Sequence, residues 1–282
     1  MLATGSQVTS NADYASRAFC TNGKRIVMLC GQMTSFERAA NYVRTSGWMK
    51  RQPWFWPVKT FFKRLSGKEL WLKAEVGFAT VKTSEWTYIG DELDANSVVY
   101  SLGVGDTIDF DLDLIERFGV TVYAFDPTPY AKDWVAAQEL PDEFVFKPWA
   151  ASGEDGSLRL YRRVSKRGKK AKVMWTAEDE AGDSNDFIDS PAYTVQSIME
   201  KLQHEHVDLL KMDVEGAEYD IIDGLQHATH PPRQLLVEFH HRFPGIGKER
   251  TAAAIRSLGR LGYKIFDVSE TGREVGFVLG DS

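Results

Sequence analysis

The rhythm of apolar and polar positions changes near residue 97. Beyond it, short apolar runs alternate with stretches of helical spacing. "SVVYSLGVG" (97–105) is an apolar run ended by glycines and predicts a buried strand. "TIDFDLDLIERFG" (Thr107–Gly119) spaces its apolar residues for a helix that stops at a glycine. "VTVYAFD" predicts a second strand, Tyr130–Leu140 a helix and "EFVFKPWAA" a third strand. The alternation resumes with a helix at Val195–Gln203, a fourth strand at Val207–Met212 and a helix at Ala217–Leu225. "RQLLVEF" is a fifth strand behind Pro231 and Pro232, and Glu249–Leu261 a further helix. Strands alternating with helices imply right-handed βαβ units and a parallel sheet. The end, "YKIFDVSETGREVGFVLG", predicts an antiparallel hairpin, which departs from an all-parallel dinucleotide fold.

Two regions stand outside this rhythm. Within 152–192, "GSLRLYRRV" and "KKAKVMWTA" alternate as strands around the basic turn "SKRGKK", and "EDEAGDSND" then predicts a flexible loop. This is an insertion in a domain expected to span 95–282. Residues 1–94 are expected to form an extension or cap. They hold "WMKRQPWFWPVKTFFKRL" (Trp48–Leu65), whose aromatics interleave with Lys50, Arg51, Lys59, Lys63 and Arg64. One reading is a capping helix with solvated basic residues; the other is a segment that rests on a membrane or a lipid-linked substrate. Pro53 and Pro57 are expected to break any long amphipathic helix there.

Composition narrows the class. At 282 residues, 43% hydrophobic and 26% charged, the chain can bury a sizeable core. A net charge of -6 argues against nucleic-acid binding through global charge. Cys20 and Cys30 have no zinc-ligand spacing and make no disulfide framework. The polar N-terminus lacks a signal-peptide core, and no apolar window reaches membrane-spanning length. A cytoplasmic protein is expected.

Candidate chemistry gathers at strand ends. Gly103 and Gly105 in "SLGVGDT" begin a glycine-rich turn, but Ile108 occupies the place of a third glycine. Asp126, at the end of the second strand, is placed to accept from both hydroxyls of an adenosine ribose or to cap the next helix. These features suit NAD and S-adenosylmethionine alike. "KMDVEG" ends the fourth strand and "VEFHH" the fifth, where open α/β sheets bind ligands. Lys211, Asp213, Glu215, Glu238 and His240 are the catalytic candidates. Asp213, Glu238 and His240 also offer a ligand set for a divalent ion. Lys211 and Glu215 read alternatively as a helix-start ion pair, and Glu218 as a solvated helix face.

With these pieces together, the chain resembles the FkbM-family methyltransferases, in the branch of methyltransferase-like proteins. The resemblance lies in "VVYSLGVGDTIDFDLDLIERFGVTVYAFDPTP", "DLLKMDVEGAEYDIIDGL" and "LLVEFHHRF" and covers roughly 95–280. It implies a class I, Rossmann-like α/β fold with a mostly parallel seven-stranded sheet closed by an antiparallel hairpin. It further implies S-adenosylmethionine-dependent O-methylation of a sugar, glycan or natural-product hydroxyl. Cofactor contacts are then expected from Ser101, Gly103, Gly105, Asp126, Pro127 and Ala151. Ser101 stands where many class I enzymes carry an acid. Tyr161, Trp175, Trp54 and Trp56 are expected to stack on the acceptor. An NAD-dependent oxidoreductase and a non-catalytic binding module of this fold are the alternatives.

Overall fold

The structure, a computed structural model, describes residues 52, 54–165 and 168–280, all within one compact unit, Arg51–Ser282. Cys20, Cys30 and part of the basic turn at 166–167 lie outside the described residues. The chain first forms helix α1 (Phe55–Leu65) and a small hairpin, β1 (Val81–Thr83) with β2 (Trp86–Tyr88). It then lays down β3 (Val98–Leu102), α2 (Asp109–Phe118), β4 (Thr121–Phe125), α3 (Pro129–Ala136) and β5 (Phe144–Lys147). After an insertion come α4 (Val195–Leu202), β10 (Leu209–Met212), α5 (Glu218–Leu225), β11 (Gln234–Glu238) and α6 (Gly247–Arg260). The final hairpin is β12 (Tyr263–Val268) with β13 (Glu274–Leu279).

Seven of these strands form one sheet in the order β12-β13-β11-β10-β3-β4-β5. All neighbours are parallel except β13, which runs antiparallel between β11 and β12. This mainly parallel sheet with an antiparallel closing hairpin is the class I methyltransferase architecture. Both faces are buried, so the central strands read as mostly apolar runs. Tyr100, Leu102, Leu210 and Met212 face α4, α5 and α6, while Val99, Val122 and Leu209 face α2 and the β1–β2 hairpin. The hairpin belongs to the core: Trp86 and Tyr88 are buried, and Ile89 exchanges two hydrogen bonds with Gln234.

Local chemistry explains the element ends. Gly119 takes φ +68° and closes α2 onto the Ile115 carbonyl. The Thr128 hydroxyl accepts from the Ala131 N–H, with Pro129 in the first turn of α3. α1 departs from expectation, because Pro57 lies inside it. The ring falls in the first turn, where an N–H has no intrahelical acceptor to lose, so the helix runs on to Leu65.

The insertion also differs from the sequence reading. β6 (Ala150–Ala151), β7 (Gly156–Val164), β8 (Lys170–Thr176) and β9 (Gly182–Tyr193) make a second sheet in the order β6-β9-β7-β8. The polar stretch expected as a flexible loop is therefore strand from Gly182 onward, behind a short helical turn at Asp179–Ala181. Cross-strand ion pairs compensate its poor strand propensity: Arg159–Asp189 at 2.7 Å and Arg162–Asp186 at 3.0 Å.

Candidate active site

The sheet reverses its winding between β3 and β10, so a crevice opens beyond their carboxyl ends. A cleft there runs from Gly103, Gly105, Asp126 and Pro127 past Ala151 to Asp213 and Glu215. It is bounded on the insertion side by Leu158, Val173 and Trp175. At Gly103, φ is +85°, and a Cβ would lie 1.8 Å from the Asp213 carbonyl oxygen. Only glycine lets the two strand ends meet this closely.

Asp126 serves as a brace. Oδ2 accepts from the N–H groups of Val104 and Gly105 at 3.1 and 3.0 Å, and Oδ1 accepts from the Thr128 N–H at 2.8 Å. The acid thus holds the glycine turn against the start of α3 while lining the cleft. Helix capping itself falls to Thr128. Ser101 is completely buried and does not line the cleft.

Lys211 also turns away from the cleft. Strand period places it with Leu209 on the α2 face, opposite Ser101. Its Nζ donates to the Gly103 carbonyl at 3.0 Å, lies 5.3 Å from the Trp86 ring centre and faces the buried Asp111. Burial pushes the Asp111 carboxyl up, and the Lys211 charge opposes that shift. Lys211 therefore steadies the glycine turn. The alternative reading of Lys211 and Glu215 as an ion pair does not hold, since Glu215 is paired with Arg163, whose Nη1 donates to it at 3.0 Å.

Glu215 occupies the left-handed region at φ +50°, and its carbonyl accepts from Thr176 Oγ1 at 2.5 Å. A non-glycine residue held there stores strain, a frequent property of functional sites. Burial raises the Glu215 carboxyl, countered by His240 and Arg163.

The remaining candidates converge. His240 is buried at the end of β11, its Nε2 3.8 Å from Asp213 Oδ1, 3.8 Å from Glu215 Oε2 and 3.9 Å from Glu238 Oε1. Nδ1 lies 3.3 Å from Glu218 Oε1, which also accepts from the His240 backbone N–H at 2.8 Å. The other oxygen of Glu218 accepts from the Gly216 N–H. Glu218 is fully buried, contrary to its reading as a solvated helix face. The only sequence signal was a second acid three residues after Glu215, in register with the strand end.

Charge explains the cluster. Burial alone would lower the His240 pKa, but Glu218, Glu215 and Glu238 raise it to about 9. Burial and the nearby Asp213 push Glu238 up to about 8, against the pull of His240 and of Arg273, which pairs with it. The acidic side chains crowded around Nε2 favour positive charge at this point, either a proton or a metal cation. Asp213, Glu238 and His240 place one ligand atom each within 4.8 Å of one another and are the group among the described residues that could hold an ion.

Of the expected acceptor aromatics, Trp175 lines the cleft, while Tyr161, Trp54 and Trp56 do not. The Trp175 indole N–H is buried without a hydrogen-bond partner, and Arg162 lies over its ring at 4.4 Å.

No curated protein is significantly similar in sequence. A solved structure of methyltransferase FkbM from Methylobacillus flagellatus KT is similar at 14% identity with a TM-score of 0.39. The similarity covers 64% of this chain and 43% of that one, so this chain spans less than half of that structure's length. The family model for the methyltransferase FkbM domain matches residues 91–265, more than half of the sequence. The chain belongs to the FkbM methyltransferase family.

Proposed function

We propose that the protein is an S-adenosylmethionine-dependent O-methyltransferase acting on a hydroxyl of a sugar, glycan or natural product. The observation that carries this reading is the continuity of one cleft from the glycine turn to Asp213 and Glu215. Its cofactor end suits an adenosine-bearing ligand. The turn leaves backbone close to the ligand, Asp126 supplies carboxylate lone pairs, Phe125 and Trp149 offer flat walls, and the Trp175 N–H awaits an acceptor. S-Adenosylmethionine supplies an electrophilic methyl group when bound.

The chain's own task is then to orient a hydroxyl and receive its proton. Asp213 is suited to this, because it lines the cleft and also stands beside His240. Glu218 fixes the imidazole of His240 beside it through contacts to Nδ1 and to the backbone N–H. Lys211, Glu218 and Arg163 position the turn, the imidazole and Glu215.

The spacing of Asp213, Glu238 and His240 favours a second reading in which a divalent cation occupies that point and acidifies the hydroxyl. Calorimetry with S-adenosylhomocysteine and with NAD, followed by labelled-methyl transfer to glycan hydroxyls, tests the proposal. Binding of NAD instead of S-adenosylhomocysteine overturns it, and cofactor binding without transfer to any acceptor leaves a binding module.

A further inference from the structure

α1 carries its apolar stripe on the outside. Trp54, Val58, Phe61, Phe62 and Leu65 recur at helical spacing, and all are exposed, Phe62 at 63%. Trp71, 61% exposed, extends the patch by packing edge-on against Phe61 at 5.9 Å. The inward face carries polar ties beside the half-buried Trp56: Thr60 is buried and donates to the Glu270 carbonyl at 2.8 Å, and Arg64 donates to the Leu70 carbonyl at 3.0 Å. The helix is therefore tied to the body by its polar side, with its greasy side turned to solvent. A monomeric soluble surface rarely keeps such a stripe without a partner.

Charge identifies the partner. From Trp54 to Lys68 there are four basic residues and no acidic one, in a chain whose net charge is -6. Beside the helix, Lys63, Lys68, Arg242 and Lys248 line a hollow whose one acid, Glu69, is buried and engaged by Arg242 at 2.6 Å and His241 at 3.0 Å. A second copy of the chain would set this basic face against its own image. We infer that α1 docks on an anionic phospholipid bilayer, its aromatic stripe entering the interface and the basic side chains around the neighbouring hollow meeting the headgroups. This surface is separate from the cleft, and the inference stands apart from the proposed reaction.

Co-sedimentation of the full chain with phosphatidylcholine vesicles, with and without added phosphatidylglycerol, tests it. Binding should require the anionic lipid and weaken as salt rises. Phe61→Ser with Phe62→Ser should lower the partition coefficient about tenfold or more. S-Adenosylhomocysteine binding, measured in parallel, should stay unchanged and certify the variant's fold. The inference is overturned if the wild type pellets no more with anionic vesicles than without them, or if the variant binds equally. It also fails if the variant converts a dimer to a monomer, since the stripe then joins two copies. Loss of cofactor binding by the wild type would count against the proposed reaction alone.

Discussion

Glu218 and His240 meet through two contacts from one carboxylate oxygen, to the backbone N–H at 2.8 Å and to Nδ1 at 3.3 Å. The imidazole is thereby fixed with Nε2 towards the acids. Glu218→Gln would set an amide N–H against the donors of Gly216 or His240 and cost about 1–3 kcal/mol of stability. We expect kcat to fall with little change in KM for the cofactor, read by steady-state kinetics beside a denaturant melt. A change in stability alone would make Glu218 a structural acid.

Asp213→Asn should reduce turnover by about 10²–10⁴, while S-adenosylhomocysteine affinity stays close to wild type. Single-turnover methyl transfer and calorimetry read the two separately. Near-normal turnover would remove Asp213 from the chemistry.

Gly103→Ala brings a methyl group against the Asp213 carbonyl at a backbone φ of +85°. The two penalties together should cost about 3 kcal/mol or more and abolish cofactor binding. Chemical denaturation with a ligand titration checks both effects.

Glu69 sets an acid limit on stability. Burial would raise its pKa, but hydrogen bonds from His241 and Arg242 pull it down to about 2 from an ordinary 4.5. A depressed carboxylate stabilises the fold above its unfolded pKa and loses that contribution as pH falls through the folded one. Wild type should therefore exceed Glu69→Gln by about 2 kcal/mol at pH 7, with the gap closing between pH 4.5 and 2. Denaturant midpoints across that range decide it.

The cation reading makes its own demand. Protein dialysed against a chelator should regain several degrees of Tm on adding Mn²⁺, and Asp213→Asn should not. Full activity in chelator would leave protons as the positive charge at His240.

The βα alternation was legible because parallel strands buried on both faces leave short apolar runs, as in Val98–Tyr100 and Leu235–Val237. The cluster of Asp213, Glu215, Glu238 and His240 followed from strand ends alone. What stayed hidden depends on partners distant in sequence. Glu218 reads like any helical acid until the β11 end reaches it. Lys211 belongs to a charged motif, yet strand period turns it under the glycine turn. β9 has a loop's composition, and its Asp residues become strand residues only opposite Arg159 and Arg162. Pro57 breaks a helix in the middle but is harmless in a first turn.

The insertion leaves and rejoins the fold at neighbouring points, since Ala150 pairs with Ala192 and Ala151 with Tyr193. Everything between them is an excursion whose two stalks stand side by side. Such an excursion can be exchanged as a cassette, giving a new wall over the cleft while the glycine turn and the acids below keep their positions. Under the proposed function, a change of acceptor therefore needs no change in how the central sheet is wound.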